Sequence, residues 1–266
     1  MNVEKLKKKR LFLFDLDGTI YLDNILFKHS LELFDYIKSI EGKYIFLSNN
    51  SSKSTDDYIK KLSKLGLKVD RSNFMTSSQV ASIYIREKHS NKNVHVIGTE
   101  SFKIELLKDG INIVDKDSES IDCLLVGYDT ELDYTKLYDA CKILQNDVIY
   151  LATNPDLVCP TSFGFIPDCG SICEMIMTAT GKKPIYLGKP DPMIIEHTLN
   201  RNKFTKAQAI FIGDRLYTDI ACGINAGIST GLVLTGETKY EHLGSSRLKP
   251  DYIFEDLSQL YTTLIN

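Results

Sequence analysis

Short apolar runs alternate with segments of helical periodicity along the chain, and this alternation restricts its fold more than any other feature. The runs at residues 11–14, 44–47 and 209–212 have the length and composition of buried strands. Between the first two, Phe27, Leu31, Phe34, Ile37 and Ile40 recur every three or four positions, which predicts an amphipathic helix. Such alternation favours an α/β fold, with a parallel sheet joined by right-handed crossovers.

The same pattern continues through the middle and the end of the sequence. Further strands are predicted at residues 74–76, 94–97, 123–126, 148–152, 230–234 and 252–254. Further helices are predicted at residues 54–65, 78–88, 102–108, 137–144, 172–180, 192–200, 217–226 and 257–264. The segment 153–170 is rich in Asn, Pro, Cys and Gly, which predicts a loop.

Composition and charge argue against several classes of partner. The chain has 266 residues, of which 43% are hydrophobic and 25% charged, and its net charge is −3. Neither nucleic acid nor a membrane surface is therefore expected as a partner, and the basic run at residues 5–10 is interpreted as a solvated lead-in to the first strand. No apolar run approaches the roughly 20 residues of a membrane span, so a cytoplasmic location is expected.

The six cysteines do not suggest a metal site. They form no Cys-x-x-Cys pair, and Cys169 and Cys173, four residues apart, have no matching second pair for zinc. Reduced thiols are expected, some of them buried as small hydrophobic side chains.

Two aspartates follow the first predicted strand directly and are the strongest chemical signal. In extended backbone, residues i and i+2 point to the same side, so Asp15 and Asp17 would hold their carboxylates together. Two such groups repel each other unless a cation or a shared proton relieves them, and Mg²⁺ prefers oxygen ligands of this kind. Gly18 allows the tight turn that follows.

Three further polar segments lie later in the chain, and each is weak evidence by itself. They are Ser-Asn-Asn at residues 48–50, Lys189 between a glycine and a proline, and a segment at residues 213–219 that contains Asp214 and Asp219. Residues of these types are also common in turns, loops and helix N-termini. Two of the segments follow predicted strands, and the carboxyl ends of parallel strands converge on one crevice, so the segments can meet in space.

The four segments in this order resemble the four-motif signature of the haloacid dehalogenase superfamily. Five short sequence segments are similar to those of its class IIA, or NagD-like, subfamily, which includes p-nitrophenyl phosphatase-type enzymes. They are ATNPD at 152–156, PDCGS at 167–171, ATGKKP at 179–184, GKPDP at 188–192 and GDRLYTDI at 213–220. The resemblance covers essentially the whole chain. It implies a discontinuous Rossmann-like core at residues 1–82 and 185–266, with an inserted α/β cap domain at residues 83–184.

The resemblance also implies a magnesium-dependent phosphatase that acts on a small phosphorylated metabolite through an aspartyl-phosphate. Asp15 would be the nucleophile, and Asp17 the general acid and then the base. Ser48 and Lys189 would bind the transferring phosphoryl group, and Asn49 and Asn50 would help to bind the substrate. Mg²⁺ would be held by Asp15, the Asp17 backbone carbonyl and Asp214, while Asp219 would orient Lys189 or metal-bound water.

The cap is expected to select the substrate. The segment 153–170 is the best candidate to face the active site, with Asn154, Asp156 and Asp168 as candidate substrate contacts, although each also suits a turn. Cys159 stands where similar pyridoxal phosphate phosphatases have a histidine, which argues against pyridoxal phosphate as the main substrate. Related proteins often dimerise through the cap, so a homodimer is one expected assembly.

Three alternatives remain at this stage. A phosphomutase of the same superfamily normally has a different, smaller cap. A dehalogenase lacks the second aspartate of the first motif, so Asp17 argues against it. A non-catalytic module that binds a phospholigand would need a lost catalytic group, yet all six core positions are chemically competent. These six are Asp15, Asp17, Ser48, Lys189, Asp214 and Asp219.

Overall fold

The computed structural model describes residues 2–161 and 163–266 and confirms the α/β prediction. The chain divides into two compact units. The first contains the residues up to Ser48, Tyr58–Met75 and Lys189–Asn266, and the second contains Asn49–Asp57 and Thr76–Gly188.

Fourteen strands and eleven α-helices are present in the described part of the chain. The strands are β1 (Leu11–Phe14), β2 (Tyr21–Leu22), β3 (Ile25–Leu26), β4 (Lys43–Ser48), β5 (Phe74–Thr76), β6 (Val94–Ile97), β7 (Cys123–Val126), β8 (Ile149–Ala152), β9 (Val158–Thr161), β10 (Gly164–Pro167), β11 (Ile185–Tyr186), β12 (Ala209–Gly213), β13 (Ser229–Val233) and β14 (Tyr252–Phe254). The helices are α1 (Val3–Lys7), α2 (Ser30–Ser39), α3 (Thr55–Lys64), α4 (Ser77–Lys88), α5 (Glu100–Lys108), α6 (Tyr134–Ile143), α7 (Cys169–Thr180), α8 (Met193–Asn202), α9 (Ala221–Ala226), α10 (His242–Ser245) and α11 (Leu257–Ile265).

The first unit is built on a six-stranded sheet in the order β14-β13-β12-β1-β4-β5. Strand β1 pairs in parallel with both β12 and β4, and Phe14 lies opposite Ile212 and Phe46. All four residues of β1 are fully buried, which explains why the strand is a continuous apolar run. This register places the residues that follow β1, β4 and β12 at one edge of the sheet.

Helix α2 forms where the apolar periodicity predicts it, but it begins later and buries only part of the predicted stripe, since Leu31 is 40% exposed. Leu33, Phe34 and Ile37 pack into the core of the first unit, and the Phe34 ring meets Phe46 edge to face at 5.6 Å. His29, immediately before the helix, has a left-handed φ of 61°, and the Phe27 amide donates to the Ile20 carbonyl. Phe27 therefore lies outside the helix, because the chain turns at His29.

The second unit contains a parallel four-stranded sheet in the order β11-β8-β7-β6 and a separate hairpin of β9 and β10. The prediction of a loop at 153–170 was wrong for the hairpin, and α7 also begins within this segment, at Cys169. Pro160 and Pro167 suggested a loop. A two-stranded hairpin tolerates them because each strand has an unpaired side, where a missing N–H costs nothing.

Two other predictions differ from the structure. Residues 217–226 are not one α-helix, since a π-helical turn over Leu216–Ile220 precedes α9. The basic lead-in is not simply solvated, since α1 forms there and Lys9 is 1% exposed, with its ammonium donating to the Ala207 carbonyl at 2.8 Å. A long aliphatic stem lets lysine be buried in this way while its head finds an acceptor.

All six cysteines are free, as expected for reduced thiols. Over residues 2–161 and 163–266, no helix combines the length and the apolar character that crossing a bilayer requires.

Candidate active site

The first motif leaves the sheet at the end of β1 and turns sharply. The Asp15 amide still donates to the Ile212 carbonyl, so the strand ladder fixes its position. The chain then turns, with the Gly18 amide donating to the Tyr21 carbonyl at 2.9 Å. Gly18 has a φ of 85°, and a Cβ at this position would lie 2.8 Å from Asp214 Oδ2. Glycine is therefore required here both by backbone conformation and by the approach of Asp214.

Asp15, Asp214 and Asp219 form a compact carboxylate cluster. One oxygen from each lies within 4.8 Å of the others. Asp214 and Asp219 are buried, and the Asp15 side chain is 15% exposed. Asp214 accepts hydrogen bonds from the Thr19 hydroxyl at 3.2 Å and from the Glu237 amide at 2.7 Å, which fix its orientation.

Lys189 places one buried ammonium group against this cluster. Its Nζ lies 2.5 Å from Asp15 Oδ1 and 2.7 Å from Asp219 Oδ1, and the side chain is 3% exposed. The other Asp219 oxygen accepts from the Arg215 amide at 3.1 Å. Asp219 thus connects the lysine to the backbone of the fourth motif and holds both in place.

The close packing of these charged groups shifts their pKa values. Burial raises the pKa of Asp15 well above its usual value, Lys189 opposes this effect, and Asp219 and Asp214 add to it. Burial also raises the pKa of Asp214, to about 6, with Asp219 contributing. Burial alone would lower the pKa of Lys189, but Asp15 and Asp219 outweigh it, so the pKa is raised and the ammonium stays charged. The raised pKa values of Asp15 and Asp214 show that burial and repulsion between the carboxylates outweigh the attraction of the Lys189 ammonium.

This donor set fits a hard divalent cation. The cluster offers only oxygen atoms, which Mg²⁺ prefers, and a cation would relieve the repulsion between its members. Asp17 does not add its carboxylate to the cluster; that side chain is 51% exposed and accepts a hydrogen bond from the Tyr21 hydroxyl at 3.2 Å. Ligation by Asp17 through its backbone carbonyl stays a prediction.

Ser48 ends β4 at the same edge of the sheet. Its side chain is buried, with Oγ 3.2 Å from the Tyr58 hydroxyl. The Lys189 ammonium is 3.4 Å from the carbonyl of Leu47, the residue before Ser48, so the second and third motifs are close together. The end of β4 and the loop that carries Lys189 therefore lie side by side.

The remaining candidates belong to the second unit and make hydrogen bonds within it. The Asn49 amide group donates to Asp156 at 3.0 Å, and that of Asn154 donates to the Asn49 carbonyl at 2.8 Å. Asn50 accepts from the amide and hydroxyl of Ser52, and Asp168 caps α7 by accepting from the Cys169 amide. These contacts stabilise turns and a helix end, and a role of these residues in substrate binding stays a prediction.

Several residues at this site were not predicted. Glu237 and Gly236 approach Asp214 from the segment after β13, which carried no recognisable motif. Arg215 lies inside the fourth motif, and its guanidinium Nε is 3.2 Å from Glu237. Tyr21 and Lys61 contact Asp17. Only Arg215 and Tyr21 gave a usable signal, because each lies within a few residues of a predicted site aspartate.

Comparison with known families agrees with this geometry. The sequence model of a family described as haloacid dehalogenase-like hydrolase matches residues 12–112. A second model, described as HAD-hydrolase-like, matches residues 186–260. The two matches include all six core positions of the predicted signature.

Curated relatives align over nearly the whole chain. An acid sugar phosphatase from Staphylococcus haemolyticus is 31% identical over 95% of this chain and 95% of its own length. The 5'-nucleotidase YutF from Bacillus subtilis is 30% identical over 93% of this chain and 96% of its own.

Solved structures show the same fold. A 4-nitrophenylphosphatase from Thermotoga maritima has a TM-score of 0.94 and 36% identity, covering 98% of this chain and 99% of its own. NagD from E. coli K-12 has a TM-score of 0.86 and 29% identity, covering 94% and 98%. A glycerol phosphate phosphatase from Mycobacterium tuberculosis, in complex with magnesium, has a TM-score of 0.89 and 27% identity, covering 96% and 78%. The chain therefore belongs to the haloacid dehalogenase-like hydrolases, in their NagD-like group of phosphoric monoester hydrolases.

Proposed function

We propose that this protein is a magnesium-dependent phosphatase that forms an aspartyl-phosphate on Asp15 and acts on a small phosphorylated metabolite. The observation that carries the proposal is the cluster of Asp15, Asp214 and Asp219 around the buried ammonium of Lys189. Phosphoryl transfer depends mainly on in-line positioning and on neutralising charge. The cluster supplies a nucleophile, a cation and a set of oxygen ligands within a few ångströms.

Asp15 is the proposed nucleophile because it is fixed at a strand end and is the most accessible carboxylate of the cluster. One of its oxygens contacts Lys189, which leaves the other for attack on phosphorus. The Lys189 ammonium neutralises the incoming phosphoryl oxygens, and Ser48 donates a hydrogen bond to them. Asp219 keeps the lysine in place through its 2.7 Å contact.

Asp17 is the proposed general acid for the leaving group and the base for the hydrolytic water. Its carboxylate stands apart from the crowded cluster and is half exposed, so a substrate oxygen can approach it. Two carboxylates with different duties need different environments, and Asp15 and Asp17 have them. The alcohol leaves with the Asp17 proton, and the same carboxylate later takes a proton from the attacking water.

Magnesium is the proposed cofactor. Asp15, Asp214 and the Asp17 backbone carbonyl would hold it, and the bound ion would supply charge neutralisation for the phosphoryl oxygens. The magnesium complex of the related glycerol phosphate phosphatase supports this assignment. The Thr19 and Glu237 hydrogen bonds preorient Asp214 for the role, as outer partners of metal ligands usually do.

The proposed substrate class is a small phosphate monoester such as a sugar phosphate. The related acid sugar phosphatase and glycerol phosphate phosphatase support this class. We propose that the inserted cap, residues 83–184, selects among such esters, with Asn154 and Asp168 as candidate contacts.

A panel of phosphorylated metabolites and p-nitrophenyl phosphate, scored for phosphate release with and without Mg²⁺, tests the proposal. We expect Mg²⁺-dependent release that Asp15→Asn abolishes, while the control Asp35→Asn, an exposed carboxylate on α2, leaves it unchanged. Mg²⁺ should also raise the melting temperature of the wild type, and less so that of Asp214→Asn, because a ligand that binds only the folded state stabilises it.

Turnover that persists in Asp15→Asn would refute the proposed nucleophile. Transfer of the phosphoryl group to a second sugar hydroxyl rather than to water would favour the phosphomutase alternative.

A further inference from the structure

We infer that Tyr21 and Lys61 are positioning residues that hold the Asp17 carboxylate in the orientation needed for proton donation to the leaving group. The inference rests on the proposed function, in which Asp17 is the general acid. The supporting geometry lies entirely within the first unit.

Tyr21 reaches Asp17 because of the turn that follows β1. The Gly18 amide donates to the Tyr21 carbonyl, so the chain doubles back over four residues. The Tyr21 hydroxyl then donates to Asp17 Oδ2 at 3.2 Å. The tyrosine is fully buried in the core of the first unit, so its hydroxyl is a fixed donor rather than a mobile surface group.

Lys61 approaches the same carboxylate from α3. Its Nζ lies 3.7 Å from Asp17 Oδ1, the oxygen that Tyr21 does not contact. The same ammonium lies 3.6 Å from the centroid of the Tyr21 ring, which places it over the aromatic face. A cation in this position is attracted by the ring quadrupole, so Tyr21 also fixes the lysine.

The three groups therefore form one unit, here called the Asp17 clamp: Asp17, Tyr21 and Lys61. A carboxylate that is 51% exposed would otherwise rotate about its terminal torsion, which is broad for aspartate. Contacts to both oxygens restrict that rotation. Proton donation requires the acid within hydrogen-bond reach of the leaving oxygen, so its orientation affects the rate directly.

This role predicts a dependence on the leaving group that a merely structural role would not produce. A weakly acidic alcohol needs a proton as it departs, whereas p-nitrophenolate leaves readily without one. A clamp variant should therefore lose more activity on alkyl phosphates than on p-nitrophenyl phosphate. A variant that only weakens folding lowers the concentration of active enzyme, so its activity falls by the same factor on every substrate.

The experiment measures kcat and KM of the Mg²⁺-supplied enzyme for p-nitrophenyl phosphate, phenyl phosphate and an alkyl phosphate. The test variants are Tyr21→Phe, which removes only the hydroxyl, and Lys61→Met, with Lys61→Arg as the conservative rescue. The controls are Tyr252→Phe, whose buried hydroxyl contacts the Asn2 carbonyl, and Lys64→Met, which removes an exposed ammonium from the same helix. Asp17→Asn supplies the reference for complete loss of the acid.

We expect both clamp variants to lose about tenfold more kcat on the alkyl ester than on p-nitrophenyl phosphate, a part of the roughly 10²–10⁴-fold that general acids contribute. KM should change little, Lys61→Arg should recover most of the loss, and the controls should match the wild type. Equal losses on all three esters in Tyr21→Phe and Lys61→Met, with a steep dependence in Asp17→Asn, would overturn the clamp but leave the proposed function intact. A flat profile in Asp17→Asn would overturn the general-acid role and the clamp together.

Discussion

The Asp214 carboxylate fills the space that a side chain at position 236 would need. A Cβ on Gly236 would lie 1.9 Å from Asp214 Oδ2, far inside van der Waals contact. The neighbouring Glu237 amide donates to the same oxygen at 2.7 Å. The segment after β13 therefore shapes the carboxylate cluster by its lack of a side chain as well as by its backbone donor.

Gly236→Ala is expected to weaken metal-dependent activity by displacing Asp214. Changes to groups that orient metal ligands typically cost about 10–100-fold in affinity or activity, and we expect the Mg²⁺ concentration for half-maximal activity to rise by a factor in that range. Gly244→Ala is the matched control, because a Cβ at this glycine would meet nothing within 4 Å. A Mg²⁺ titration of phosphate release measures the effect, and an unchanged midpoint in Gly236→Ala would contradict the packing argument.

Replacing Lys9 by Met is expected to change the pH dependence of stability. Burial lowers the pKa of Lys9 to about 8, with Lys5 adding to the effect and Asp251 opposing it. Below pH 8 the amine is charged in both states, and its burial costs the folded protein up to about 3 kcal/mol. As the pH rises from 8 to 10.5, the folded state loses this proton before the unfolded state does, so the wild type gains stability.

The Lys9→Met variant lacks this gain, so its advantage in free energy of unfolding should be largest below pH 8 and shrink above it. Urea denaturation at pH values on either side of 8 measures the difference. Lys8→Met serves as the control, because Lys8 is exposed and its removal should leave the pH profile parallel to that of the wild type. A difference that does not vary with pH would show that the Lys9 amine is not desolvated.

Glu105→Gln is expected to destabilise the second unit. Glu105 is fully buried in α5, where it accepts from the Thr55 hydroxyl at 2.6 Å and from the Thr55 amide at 3.3 Å. A glutamine keeps one acceptor but places an NH₂ group where the second acceptor stood, and a buried donor without an acceptor costs about 1–3 kcal/mol. Glu100→Gln, an exposed position on the same helix, should cost much less. Chemical denaturation compares the two, and equal losses would contradict this account.

The sequence predicted the centre of the site better than its surroundings, for a physical reason. Asp15 and Asp214 follow buried parallel strands, and the ends of such strands converge whatever the rest of the chain does. Lys189 lies on a loop, so its position beside Asp219 was predicted only from the family resemblance. Glu237 acts through its backbone amide, which carries no residue-specific signal. The contact between Lys61 and Asp17 depends on where α3 packs, which local sequence patterns do not determine.

The hairpin of β9 and β10 illustrates the same limit for the fold. The residues of its strands alternate between exposed and partly exposed, and two of them are prolines, so the sequence showed neither an apolar run nor a strict apolar–polar alternation there. Two neighbouring strands are difficult to predict as a hairpin when no Gly-containing dipeptide between them indicates a tight turn.

The position of β1 in its sheet has a consequence for how the protein is made. Its neighbours are β4, which follows within a few dozen residues, and β12, which begins only at Ala209. A ribosome therefore completes the second unit's main segment, which ends at Gly188, before it releases the strand that covers the other edge of β1. Until then the emerging chain carries an apolar strand with one unpaired edge, which can associate wrongly with other chains. The same delay keeps Asp15 without Asp214 until the ribosome has passed β12, so the carboxylate cluster cannot form before that strand joins the sheet.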